Sequence, residues 1–149
     1  MNFDFDKYLC HGRRRCDNSW INGYYVRRTA NTMNGIVYDH YIMHPSGYKC
    51  EVDPNTVGLF TGMYDISNKM IFSNSDLSLE IPRPSSSGYV NISGEIEFNA
   101  DRGMWEVKYM YSGCCASMPL SRSNITQANI RVTGVTYKDD RGGKVTYVE

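Results

Sequence analysis

Gly94-Glu95-Ile96-Glu97-Phe98-Asn99-Ala100-Asp101-Arg102-Gly103-Met104-Trp105-Glu106-Val107-Lys108-Tyr109-Met110-Tyr111 carries the strongest statement about fold class. Ile96 and Phe98 alternate with Glu95 and Glu97. Beyond a turn at Asn99–Gly103, Trp105, Val107, Tyr109 and Tyr111 share a face opposite Glu106 and Lys108. That period of two belongs to half-buried β-strands joined as a hairpin. Just upstream, Asp76-Leu77-Ser78-Leu79-Glu80-Ile81 repeats the pattern, with Leu77, Leu79 and Ile81 inward.

Working outward, Ile130–Tyr137 reads as a closing strand and Lys144–Val148 as a last short one, while Ser123–Ala128 fits a single helical turn. The run Pro82-Arg83-Pro84-Ser85-Ser86-Ser87-Gly88 is a loop and the best internal boundary. Phe60–Asp65 and Lys69–Phe72 flank a turn in which Asn68 takes the left-handed conformation. Towards the N-terminus, Trp20–Val26, Ile36–Ile42 and Tyr48–Val52 read as strands, with an Asn34-Gly35 hairpin turn between the first two. Asp53-Pro54 fits the start of one helical turn, Asp as cap and Pro at the first position. No segment sustains a helical period. The expectation is one mainly β, β-rich α+β domain over residues 1–149. An N-terminal β subdomain (1–68) packs on a C-terminal SH3-like small barrel (69–149).

The chain has 149 residues, with Lys+Arg 16 balanced by Asp+Glu 16. Zero net charge excludes wholesale polyanion binding, so any nucleic-acid surface is a local patch. No apolar run reaches the ~18 residues of a membrane span, and the acidic Met1-Asn2-Phe3-Asp4-Phe5-Asp6 start lacks an apolar signal core, so no membrane partner is expected. The cysteines are Cys10, Cys16, Cys50, Cys114 and Cys115. They include no C-x-x-C pair, their spacing suits a single zinc poorly, and without a secretory signal they are read as reduced thiols. His40 and His44 would share a face on a helix, but on a strand they stand ~13 Å apart, too far for one ion. Cys10-His11 as a thiol–imidazole pair fails for a related reason, since strand neighbours point to opposite faces. Nucleotide-loop, zinc-protease and nucleophile-elbow motifs are missing. No catalytic residue, metal or cofactor is therefore assigned.

One constellation stands out. Arg13, Arg14 and Arg15, then Arg27 and Arg28, bracket Trp20, Tyr24 and Tyr25. Interleaved cations and aromatics can hold phosphates and stack bases. The plainer reading is a solvated strand face with ordinary core aromatics.

Several blocks resemble the YopX family of phage and prophage proteins. Gly12-Arg13-Arg14 with Trp20–Val26 is similar to its N-terminal signature. Val52-Asp53-Pro54-Asn55-Thr56-Val57-Gly58-Leu59-Phe60-Thr61-Gly62-Met63, then Asp65 and Lys69–Phe72, is similar to its central one. The hairpin at 94–107 and Ile130–Gly134 with Tyr137 follow in order. Asn68 stands where the family usually has Gly, and Ser73-Asn74-Ser75-Asp76 replaces an acidic-Gly-Asp step. The resemblance implies a small phage-encoded accessory protein working in the host bacterial cytoplasm, with no catalytic residues to carry over. Three functions follow. The first is binding and inhibition of a host bacterial protein or defence complex, CRISPR interference included, which suits a neutral, Tyr-rich surface. The second is binding of a nucleotide or single-stranded nucleic acid by the Arg13–Arg28 patch. The third is an enzyme with a site assembled only in three dimensions. Edge strands leave a symmetric homo-oligomer open.

Overall fold

The computed structural model describes residues 9–84 and 87–149. The acidic N-terminal start and the middle of the Pro82–Gly88 loop, residues 85 and 86, lie outside the described residues. The strands are β1 (Leu9–Arg14), β2 (Trp20–Thr32), β3 (Gly35–Met43), β4 (Lys49–Tyr64), β5 (Met70–Phe72), β6 (Ser75–Pro82), β7 (Tyr89–Asn99), β8 (Met104–Tyr111), β9 (Cys114–Pro119), β10 (Arg131–Lys138) and β11 (Lys144–Val148). Among the described residues one short helix, α1 (Arg122–Gln127), precedes β10.

The first sheet runs β1-β2-β3-β4-β5, and β1 pairs again with β4. That second pairing closes β1–β4 into a four-stranded ring. Cys10, Ile21, Ile42, Cys50 and Val52 fill it. So small a ring admits little side-chain volume. At Gly23 a Cβ would stand 2.3 Å from the Met43 carbonyl oxygen, so only glycine lets β2 approach β3 this closely.

The second sheet runs β11-β10-β6-β7-β8-β9 and is open, with β11 and β9 as edges. The alternation read at 76–81 sets its buried face. Leu77, Leu79, Val107, Ile130 and Val132 pack there against Ile125 of α1 and Ile71 of β5. Ser121 caps α1, its Oγ accepting the Asn124 N–H at 3.2 Å.

A mainly β chain with a small barrel is as the sequence suggests. The barrel is built before residue 69, however, and the strands from β6 onward form the open sheet, while β5 adds to the first. Closure needs the first and last strands of a ring to pair with each other. β1 and β4 do so, whereas among the described residues β9 and β11 do not. The hairpin around Asn68 (φ 65°) and the turn of helix near 123–128 stand as expected. The helical turn expected at Asp53-Pro54 is not formed. Both residues lie inside β4, where Asp53 accepts the Asn55 N–H and its carbonyl accepts the Thr56 hydroxyl. Such a local Asx turn satisfies the same groups without leaving the strand.

β4 joins the two sheets. Its first half pairs with β1 and β3, its second half with β5, and Asp65 just beyond its end accepts the Val132 N–H of β10 at 2.8 Å. The same carboxylate accepts the N–H groups of Ser67 and Lys69. One fully buried side chain thus shapes the β4–β5 turn and fastens it to the second sheet.

Candidate functional site

Alternation along β1 sends Cys10, Gly12 and Arg14 towards the barrel interior, and His11 and Arg13 outward to the second sheet. A row of rings fills the seam there. His11 lies parallel to Phe72 with centroids 3.8 Å apart, and Trp20 sits 4.7 Å from His11 on its other side. Trp20 meets Tyr147 of β11 edge-on at 6.0 Å, and Tyr147 stacks on Tyr137 of β10. Arg13 ends the row over the Tyr147 ring, with its guanidinium also donating to the Tyr137 hydroxyl and the Asn18 carbonyl. His11 Nε2 hydrogen-bonds Asn74 Oδ1. Burial pushes the imidazole down to about 4, which makes it a neutral ring at ordinary pH. A cleft of about 300 Å³ opens beside the row between Trp20, Asn22, Met70 and the Lys69–Glu149 ion pair.

The other residues of the sequence-level patch part company with Arg13 and Trp20. Arg14 turns to the barrel end, donating to the Tyr48 hydroxyl at 2.7 Å and lying 3.6 Å from Asp17. Arg15 pairs with Glu51. Tyr24 is half-buried at the Leu9 position of β1. Tyr25, Arg27 and Arg28 lie on a different feature, a ribbon that leaves the barrel. The patch is therefore three separate environments. Arg13, Arg14 and Arg15 do share a small pocket of about 130 Å³, but Asp53 lines it too and Asp17 and Glu51 stand beside it. Its charge is balanced.

The ribbon is the most exposed element. Among the described residues, β1 pairs with β2 from Tyr24 to Trp20, and β4 pairs with β3 only from Tyr41 onward. Between these limits the described pairings of β2 and β3 are with each other, from Val26↔Tyr41 to Thr32↔Gly35. At ~3.3 Å per residue this arm is about 20 Å long. One face carries Tyr25, Arg27, Tyr38 and Ile36. There Tyr25 stacks on His40 and hydrogen-bonds it, and Arg27 lies 4.8 Å over Tyr38. The other face carries Val26, Arg28, Val37 and Tyr41, with an Arg28–Asp39 ion pair. Lys49 of β4 sits over Tyr41. Met33 at the tip is fully exposed, Ile36 is 59 % exposed and Val37 46 %. Sequence reasoning ended β2 at Val26 and so missed the arm. Its signal was the distance from Val26 to Asn34-Gly35, which leaves room for a strand twice as long.

Among the described residues no group of three or more His, Cys, Asp or Glu side chains is placed to hold a metal ion. His40 is engaged with Tyr25, and His44 with Ser46. No helix of the described residues is long and apolar enough to cross a membrane. Comparison with protein-family models, curated proteins and solved structures gives no match to this chain.

Proposed function

We propose that this chain is a non-catalytic binding protein that engages a host bacterial protein through the β2–β3 arm. The uncovered apolar side chains on both faces of that arm carry the reading. Among the described residues this ribbon has only two strands, an arrangement marginal in water, and residues such as Ile36, Val37 and Met33 gain little where they stand. Covered by a partner, the same residues supply the apolar and aromatic centre that protein interfaces use, with Arg27 and Arg28 at its margin. The YopX-like blocks support a phage origin, action in the bacterial cytoplasm, and a host defence complex as the target.

One observation favours a second reading. Tyr25 on His40 and Arg27 over Tyr38 place rings and a guanidinium on one ribbon face, an arrangement that also stacks unpaired bases.

One experiment separates the two. The tagged full chain and a variant with residues 27–40 replaced by Asn-Gly, joining Val26 to Tyr41 by a two-residue turn, are purified from a bacterial host with nuclease treatment. A stoichiometric host protein on the full chain and absent from the variant supports the first reading. A partner kept by the variant overturns it, and one lost on nuclease treatment favours the second.

A further inference from the structure

The cleft of about 300 Å³ between the two sheets is lined by two buried polar side chains, His11 and Ser75. The hydrogen-bonding state of each follows from its partners. Asn74 approaches β4 at Gly58, where a Cβ would stand 2.2 Å from Asn74 Oδ1. The Asn74 Nδ2 donates to the Thr56 carbonyl at 2.9 Å, which leaves Oδ1 as the atom facing His11 Nε2. Nε2 therefore carries the imidazole proton and donates it to Asn74. Nδ1 is left with a lone pair and, among the described residues, no hydrogen-bond partner. Ser75 has the opposite character. Its Oγ accepts the Phe72 N–H at 2.8 Å, and its own hydrogen has no acceptor among the described residues. The cleft thus holds one uncommitted acceptor and one uncommitted donor, on side chains locked by the β5–β6 turn. Trp20, Met70 and Val135 supply apolar wall beside them. The charged side chains of the cleft, Lys69 and Glu149, pair with each other at 3.1 Å, so a neutral ligand fits its balanced charge.

We propose that this cleft binds a neutral planar lactam, a six-membered ring with an N–H beside a C=O, as in uracil or hypoxanthine. The ring N–H donates to His11 Nδ1 and the carbonyl accepts the Ser75 hydroxyl hydrogen. The half-buried Trp20 indole gives the ring a surface to stack on. The volume is at the lower end for small-molecule sites, about 300–1,000 Å³, which suits a single ring system. A site whose buried donor and acceptor are both met by the ligand discriminates sharply against a ring that lacks the matching groups. This site is separate from the β2–β3 arm, and its occupancy does not depend on a protein partner.

The test titrates the full chain with uracil and with pyrimidine, the same ring without N–H or carbonyl, by calorimetry and by two-dimensional amide NMR. Uracil is expected to bind saturably with a dissociation constant of about 1 mM or tighter, and pyrimidine at least about tenfold more weakly. Resonance shifts should gather on Trp20, Phe72, Ser75 and Val135 and leave the arm unmoved. His11→Phe keeps a ring between Phe72 and Trp20 but removes Nδ1, and it should lose at least about tenfold in uracil affinity. That variant also gives up the bond to Asn74, so the comparison of uracil with pyrimidine, made on the unaltered chain, decides the matter even where His11→Phe does not fold. Absence of saturable uracil binding, equal binding of pyrimidine, shifts centred outside the cleft, or undiminished binding by a folded His11→Phe would each overturn the proposal.

Discussion

The guanidinium of Arg13 lies 4.4 Å from the centre of the Tyr147 ring, so a β1 cation braces the last strand of the chain. Three elements far apart in sequence meet at that point: β1, β2 through Trp20, and β11. Arg13→Ala removes the cation–π contact and the bonds to Tyr137 and Asn18. About 1–2 kcal/mol of stability is expected to go with them. The melting temperature should fall by about 3–6 °C while far-ultraviolet dichroism still reports a β protein. An unchanged melting temperature would mean that the guanidinium does not brace the seam.

His11 gives the seam a pH dependence whose sign follows from its burial. The imidazole is held near 4, against 6.5 for the free group. The unfolded chain therefore takes up a proton first as pH falls. No penalty exists above about pH 6.5. It grows between pH 6.5 and 4 and levels off below that at about 3 kcal/mol. Urea unfolding at pH 7.5, 5.5 and 4.0 should show the wild type losing stability faster than His11→Gln across that interval. Parallel loss in both proteins would assign the acid sensitivity to carboxylates instead.

These two residues show what was legible in the sequence. The period of two identifies most strands, because one buried face imposes alternation on every residue. It is silent on which strands close a ring, since that depends on β1 meeting β4 across about forty residues of chain. The same blindness applies to the site. Arg13, Arg14 and Arg15 are consecutive and read as one basic run. Yet neighbours on a strand face opposite ways, so Arg13 enters the seam, Arg14 the barrel end, and Arg15 a surface ion pair. The sequence offers His11 only as a neighbour of Cys10, because its partners Phe72 and Asn74 are more than sixty residues away.

Asp65 is a second residue whose weight the sequence hides, since Asp is common in turns for local reasons. Here Oδ1 accepts the N–H groups of Ser67 and Lys69 while Oδ2 accepts that of Val132, and the side chain is fully buried. Asp65→Ala leaves three N–H groups without their acceptor and opens a small void, a loss of about 3–5 kcal/mol. Asp65→Asn keeps the shape but turns an amide N–H towards one of the donors. It should cost less than Ala, though still more than about 1 kcal/mol. Chemical unfolding of the two variants checks the order, and equal losses would show that volume rather than acceptance matters.

The arm leads to a prediction in which stability and binding separate. Ile36 lies on the ribbon face that carries Tyr38 and Arg27, and Val37 on the face that carries Val26 and Arg28. Neither supports the ring or the second sheet, and both are exposed. Replacing either with Ser should change unfolding free energy by less than about 0.5 kcal/mol. A residue at the centre of an interface behaves otherwise, costing about 2 kcal/mol or more when truncated, which is a thirtyfold loss of affinity. Ile36→Ser and Val37→Ser therefore identify the docking face. Whichever variant loses its host partner while melting like the wild type marks the covered side. Loss from Ile36→Ser alone would keep the aromatic–arginine face in use, and nuclease treatment then tells whether protein or nucleic acid covers it. Undiminished binding by both variants would remove the arm from the interface altogether.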